Sequence, residues 1–144
     1  MIDARILFSD RSASALGDAL QQSASFRAAA GRWEDAVVLE WSDAPKSALA
    51  SDAMFCGVYL SLHGGDCRVA RVATADDYEH ARIVMSADLE TWNSLLAGEM
   101  TPTMALLWGR LKLTKGTMAA LIPHAGAASE VVRVAQSVVM HDHE

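Results

Sequence analysis

SADLETWNSLLAGEMTPTMALLWGRLKLTKGTMAAL, residues 86–121, holds the cleanest helix and strand patterns of the chain and most large apolar residues of its second half. Ser86 reads as an N-cap, and Asp88 falls in the first turn, where the helix dipole favours a negative charge. Leu89, Trp92 and Leu96 recur at helical spacing, Leu95 widens the stripe, and Gly98 stops it. Thr101 as N-cap and Pro102 at the first helical position start a second helix. Met104, Leu107 and Trp108 are expected as its inward stripe, with Gly109 as the stop. The period then changes to two: Leu111 and Leu113 point one way, Lys112 and Thr114 the other. Lys115-Gly116 turns the chain, and Thr117 caps a third helix carrying Met118, Leu121 and Ile122.

Outward from that stretch, the patterns place more strands upstream. Ser9 or Asp10 caps a helix with Ala13, Leu16, Ala19 and Leu20 inward and Asp18, Gln21 and Gln22 outward. Ser25 is expected to cap a short continuation through Phe26 and Ala30, stopped by Gly31, and Trp33 reads as a core anchor. Alternation places strands at 36–41 (Val37, Leu39 and Trp41 on one face) and 55–63 (Cys56, Val58, Leu60 and Leu62 on one face). Gly64-Gly65-Asp66 is a hairpin signal. A strand over 67–72 needs a bulge to reconcile Val69 with Val72. Thr74–Asp77 reads as an acidic loop, Asp76-Asp77 as a solvated turn, and His80–Met85 as a fourth strand. Ser42–Asp52 reads as a loop, with room for a turn of helix. Downstream, the chain bends at Pro123 and Gly126. Ser129 then reads as the cap of a last helix with Val131, Val134 or Ala135, and Val138, and the tail from Met140 as polar and frayed. The order is α+β: a five-stranded, mostly antiparallel or mixed sheet covered on one face by helices.

The 144 residues fit one domain (1–144) with a real core. Twelve Lys+Arg against eighteen Asp+Glu leave a formal charge of −6, with no basic run, so nucleic acid is not expected as a partner. The same sign argues against tight electrostatic docking on anionic membranes and leaves transient membrane or protein contact. No uninterrupted apolar run is long enough to span a bilayer, and the first residues lack a signal-peptide pattern. With two cysteines, Cys56 and Cys67, a reducing cytoplasm is the expected compartment.

Polar chemistry is scarce. There is no nucleophile elbow, and the Gly, Lys and Thr of 109–117 are not at phosphate-loop spacing. His63 and Cys67 flank the hairpin, but two ligands do not make a zinc site. His141, His143 and Glu144 read as a solvated tail, so neither metal nor cofactor is expected. Tyr78, Glu79 and His80 are the one cluster with acid–base character, without a second base beside it. What remains is apolar: Trp92, Leu95, Leu96, Met104, Leu107, Trp108 and Met118 are candidates to line a cavity, and flexible methionines suit an adaptable wall. On spacing alone a solid core is favoured, because amphipathic helices usually just pack.

Trp92-Asn93-Ser94-Leu95-Leu96-Ala97-Gly98, Pro102, Gly109-Arg110-Leu111-Lys112-Leu113 and Gly116 together resemble the sterol-carrier-protein domain family. Phe26-Arg27-Ala28-Ala29-Ala30-Gly31-Arg32-Trp33 resembles the same region of stand-alone bacterial members. Thr114-Lys115 is one residue longer than the commonest family pattern, which leaves the register after that strand open. The resemblance implies a five-stranded sheet whose helices enclose an apolar tunnel, and it reverses the order of core and cavity. The implied protein is a non-enzymatic carrier of a fatty acyl, acyl-CoA or sterol-like ligand. Trp92, Leu95, Leu96, Met104, Leu107, Trp108, Leu111, Leu113, Met118 and Leu121 would form its ligand site, with Arg110, Lys112 and Lys115 as candidates for an anionic headgroup. The alternative is an interaction module without lipid, pairing through its helical face, for which the Ala/Val-rich last helix would suit a dimer seam.

Overall fold

The structure, a computed structural model, describes residues 2–48 and 56–142. Phe55, His143, Glu144 and part of the Ser42–Asp52 loop lie outside them. A 3-10 turn, Ala4–Phe8, leads into α1 (Asp10–Gln22), which Ser9 caps through its hydroxyl. The continuation is α2 (Ala24–Ala29), and its cap is Ser23 rather than Ser25. The next elements are β1 (Ala36–Trp41), a 3-10 turn at Lys46–Ala48, β2 (Gly57–His63) and β3 (Asp66–Val72). Then come α3 (Ala75–His80), β4 (Ile83–Ala87), α4 (Leu89–Leu96), α5 (Pro102–Leu107) and β5 (Lys112–Lys115). The chain closes with α6 (Met118–Leu121), a 3-10 turn at Ile122–His124 and α7 (Ala125–Asp142).

The sheet has five strands in the order β3-β2-β1-β4-β5 and is mixed, with β1 and β4 parallel and every other pair antiparallel. Gly64 and Gly65, both at positive φ, make the two-residue hairpin turn, and a bulge beside Leu62 resolves the uneven alternation of β3. A second register shift sits in β5, where Leu113 faces Met85 and Lys115 faces Val84. The additional residue of that segment, Thr114, is absorbed there as a bulge.

One face of the sheet carries the main core. Val37, Leu39, Val58, Leu60, Leu62, Ile83 and Met85 meet α1, α2, α4 and α7 there. The last helix is longer than its sequence suggests: Ser129 lies inside α7, and Ala127, Ala128, Val131, Val134, Ala135, Val138 and Val139 are all buried. Its Ala/Val seam is therefore consumed within this chain.

The other face is not bare, and this corrects the readings of residues 74–82. Thr74 and Asp77 form a capping box, so the acidic segment is the helix α3, and β4 starts only at Ile83. Asp77 is 4% exposed, and Arg71 grips it with two hydrogen bonds of 2.7 and 3.0 Å, which excludes a solvated turn. Burial alone would raise its pKa; the bonds from Arg71 and from the Thr74 N–H outweigh burial and hold the carboxyl below its usual value. Val38, Ala73, Ala81 and Val84, with Tyr59 and Tyr78, make a small second core under this helix. Gly57 leaves room for it, because a Cβ there would stand 2.6 Å from the Tyr78 hydroxyl. Among the described residues no helix is long and apolar enough to cross a membrane.

Candidate functional site

Helix α4 is tied to the end of β1 by polar anchors at its start. Its cap is Asp88, not Ser86, which belongs to β4 and donates to Glu40 instead. The Leu89 N–H donates to Asp43, and the Trp92 indole N–H donates 2.8 Å to the Glu40 carbonyl. With the indole N–H satisfied, the Trp92 ring lies in the core, edge-on to Phe8. Trp33 is handled likewise: its N–H bonds Asp35 at 3.0 Å, and its ring stacks on His124 with centroids 5.2 Å apart. Both indoles thus present carbon atoms to the same interior space.

That space lies between the sheet and the helical layer. Val37, Leu39, Leu60, Leu62 and Met85 form its floor, and Trp33, Trp92, Leu95, Pro102, Leu111, Ala128, Val131 and Val132 form its walls and roof. It is wholly apolar and nearly filled, with about 10 Å³ free to the centre of a water-sized sphere. That is roughly the room one water needs. A larger groove of about 90 Å³ opens on the surface between α5, α6 and α7, lined by Pro102, Thr103, Leu106, Met118, Leu121, Ile122, Ala125 and Ala128. Pro102 and Ala128 belong to both walls, so a single layer of side chains separates groove from interior.

The expected site residues divide accordingly. Trp92, Leu95 and Leu111 face the interior space. Met118 and Leu121 line the groove. Leu96 is buried in the core away from both, and Leu113 packs half-buried against that core. Met104, Leu107 and Trp108 are a correction: they are 37%, 74% and 59% exposed, and the inward face of α5 is Pro102 and Ala105. Three-residue spacing set a stripe, but the Pro102 ring and the small Ala105 allow the helix to approach α7, which turns the large side chains outward.

The cations expected at a ligand mouth are elsewhere as well. Lys115 donates to the Tyr78 and Glu79 carbonyls at the end of α3, and Lys112 pairs opposite Ser86 on β4. Arg110 stands near Asp88 and helps hold its carboxyl below the usual value, after the larger effect of the bonds from Thr91. The resemblance implies the sheet as part of the enclosure, but the expected site names no residue of β1, β2, β4 or α7, which supply most of the lining. Alternation in β1 and β2 had already marked Val37, Leu39, Leu60 and Leu62 as one face, and that signal was sufficient to include them.

Among the described residues no three His, Cys, Asp or Glu side chains are grouped to hold a metal ion. His80 turns its ring back onto the Asp76 carbonyl of its own helix, at 2.8 Å. Tyr78 sits against Glu40 under α3; burial first, and the Glu40 charge second, push its pKa up. His63 bonds Ser61 on one face of the hairpin, whereas Cys67 lies opposite Leu62 on the core face. Cys56 and Cys67 are free and buried, and burial pushes the Cys67 thiol up to about 11, which makes it a poor nucleophile.

Comparison with known proteins agrees with this architecture. The model of the SCP-2 sterol transfer family matches residues 16–121. A crystal structure of sterol carrier protein 2 is 39% identical, with a TM-score of 0.79 over 90% of this chain and 97% of that one. A conserved hypothetical protein from Thermus thermophilus, described as possibly a sterol carrier protein, is also 39% identical; its TM-score is 0.77 over 92% and 90%. Apo sterol carrier protein 2 from Yarrowia lipolytica, 17% identical, shares the fold at a TM-score of 0.53, over 87% and 92%. A search of curated proteins finds no match. The matched segment runs from α1 through the five strands to α6, and on that match the chain belongs to the SCP-2 sterol transfer family.

Proposed function

We propose that this protein is a lipid carrier that holds a fatty acyl, acyl-CoA or sterol-like ligand between the sheet and α4, α5 and α7. The supporting observation is a wholly apolar interior space whose lining shares Pro102 and Ala128 with a groove beside α5, α6 and α7. Each CH₂ taken from water contributes about 0.8 kcal/mol, so a lining without polar groups selects for apolar length and not for a headgroup. The interior space admits about one water, so in this reading a lipid enters as α5 and α6 move away from α7. Short helices with few buried residues are the elements best able to do so. α5 buries Pro102 and Ala105, and α6 buries Leu121.

Native mass spectrometry of the purified protein, followed by organic extraction, tests this reading. A discrete added mass identified as a lipid supports it. An apo mass together with failure to bind both fluorescent fatty-acid and sterol probes sinks it. Ala128→Phe should block the wall that the two spaces share and abolish uptake while costing about 1–3 kcal/mol through overpacking. Full uptake by a folded Ala128→Phe protein would move the site elsewhere.

A further inference from the structure

Trp33 is a wall of the interior space, and it is held from the sheet side. Its indole N–H donates to Asp35, and its backbone carbonyl accepts from the Gly64 N–H of the hairpin. Against it lies the His124 ring, 5.2 Å between centroids and within 6° of parallel. His124 ends the 3-10 turn Ile122–His124 that joins α6 to α7, and the groove residues Ile122 and Ala125 lie on either side of it in the chain. Ala128, Val131 and Val132 follow it by four, seven and eight residues, and all three face the interior space. His124 therefore continues the lining stripe of α7 by one turn, on the side of Ala128, which interior and groove share.

The two ends of this segment are held unequally. From Ala127 onward α7 buries residue after residue, packed against α1 and α2. Helix α6 has four residues and buries Leu121 alone. Between His124 and the buried part of α7 stands Gly126, exposed and inside the helix. A Cβ added there would meet nothing within 4 Å, so packing does not ask for a glycine. Glycine nevertheless weakens a helix relative to alanine. The first turn of α7 is thus a weak point between a fixed helix and a lightly held turn.

We propose that the Trp33–His124 stack is a latch and Gly126 its hinge. With the rings together the α6–α7 turn closes over the interior space; with them apart the turn swings on Gly126 and admits the ligand. This rests on the carrier reading, and it adds the contact that must break for lipid to pass. The same stack closes the empty and the loaded protein, so it sets the rates of entry and release and leaves affinity unchanged. His124 is a positioning residue, acting on the ligand through Trp33 and the turn.

The test is stopped-flow uptake and release of a fluorescent fatty acid by the full chain, with hydrogen exchange of residues 117–125 measured without lipid. His124→Ala and His124→Leu remove the ring. Both should raise entry and release rates together by about two- to tenfold, with Kd unchanged and faster exchange over 117–125. His124→Leu keeps an apolar side chain in place, so it decides the matter if His124→Ala unfolds. His124→Phe keeps a flat ring and should restore wild-type rates. Gly126→Ala should slow both rates by about two- to fivefold. Wild-type rates in His124→Leu, or equally fast rates in His124→Phe, overturn the latch. Faster release alone, with weakened Kd, also overturns it, because His124 then only touches the ligand. Wild-type rates in Gly126→Ala overturn the hinge. A wild-type protein that binds no probe defeats the carrier reading alone, since faster exchange confined to 117–125 in His124→Leu still upholds the stack as what closes the turn. Probe binding with rates and exchange indifferent to the ring defeats this inference alone.

Discussion

Helices α4 and α5 are neighbours in sequence, both short and both side-chain capped; α4 contains Trp92 and α5 is closed by Trp108 as its C-cap, each tryptophan at the expected inward stripe. Trp92 is 2% exposed and Trp108 is 59% exposed. The difference arises from what holds each helix. α4 leaves a buried parallel strand and is pinned to β1 and the turn after it by the Leu89 and Trp92 N–H groups, so its rotation is determined before its side chains pack. α5 follows a turn through Gly98, has no such anchor in its first turn beyond the Thr101 cap, and rotates to bring its smallest residues against α7. Periodicity defines a stripe; the tertiary attachment decides which way it points.

The largest test of that contrast is Trp92→Ala, which removes a buried ring and leaves the Glu40 carbonyl without its donor. Thermal and denaturant unfolding should show a loss of about 3–5 kcal/mol. A cost under about 1 kcal/mol would mean that α4 is not anchored as described. Next in size is Thr101→Ala. Its hydroxyl accepts the Met104 N–H, so its loss should cost about 1 kcal/mol. If α5 is the element that moves for ligand, the same change should speed fatty-acid uptake in stopped-flow fluorescence.

The caps also separate the two helices by pH. Asp88 caps α4, and bonds from Thr91 lower its pKa, whereas the α5 cap has no titratable group. A carboxyl depressed in the folded state contributes stability that is present above its unfolded pKa, and that contribution is lost as pH falls through the folded value. Acid unfolding curves should therefore flatten below about pH 4 in Asp88→Ser, against wild type. An unchanged slope would remove Asp88 as the pH-sensitive cap. The smallest effect is expected from Trp108→Ala, within about 0.5 kcal/mol of wild type because the ring is largely in solvent. A loss near that of Trp92→Ala would show that α5 packs inward after all.

Much of the architecture was legible in local pattern. Thr101-Pro102 starts α5 and Thr117 starts α6 because capping needs only near neighbours. Gly64-Gly65 turns the hairpin, and Leu111 and Leu113 share a face, for equally local reasons. Residues 74–80 were misread because the capping box competes with an acidic-turn reading, and the Arg71 pairing that buries Asp77 comes from the adjacent strand. Ser129 was misplaced as a cap because a Ser can sit within a helix whose start is set by the preceding 3-10 turn.

Spacings of a few residues carry the α+β order, the strand faces, the caps at Ser9, Thr101 and Thr117, and the family resemblance. Tertiary packing turns Trp92 inward and Trp108 outward, sets β1 and β4 parallel, and lays α3 over the sheet's reverse face. It also decided that α7, with the sheet floor, closes the apolar space. These outcomes depend on contacts between residues far apart in the chain, where small differences in side-chain volume and a few long-range hydrogen bonds select one rotation of a helix over another.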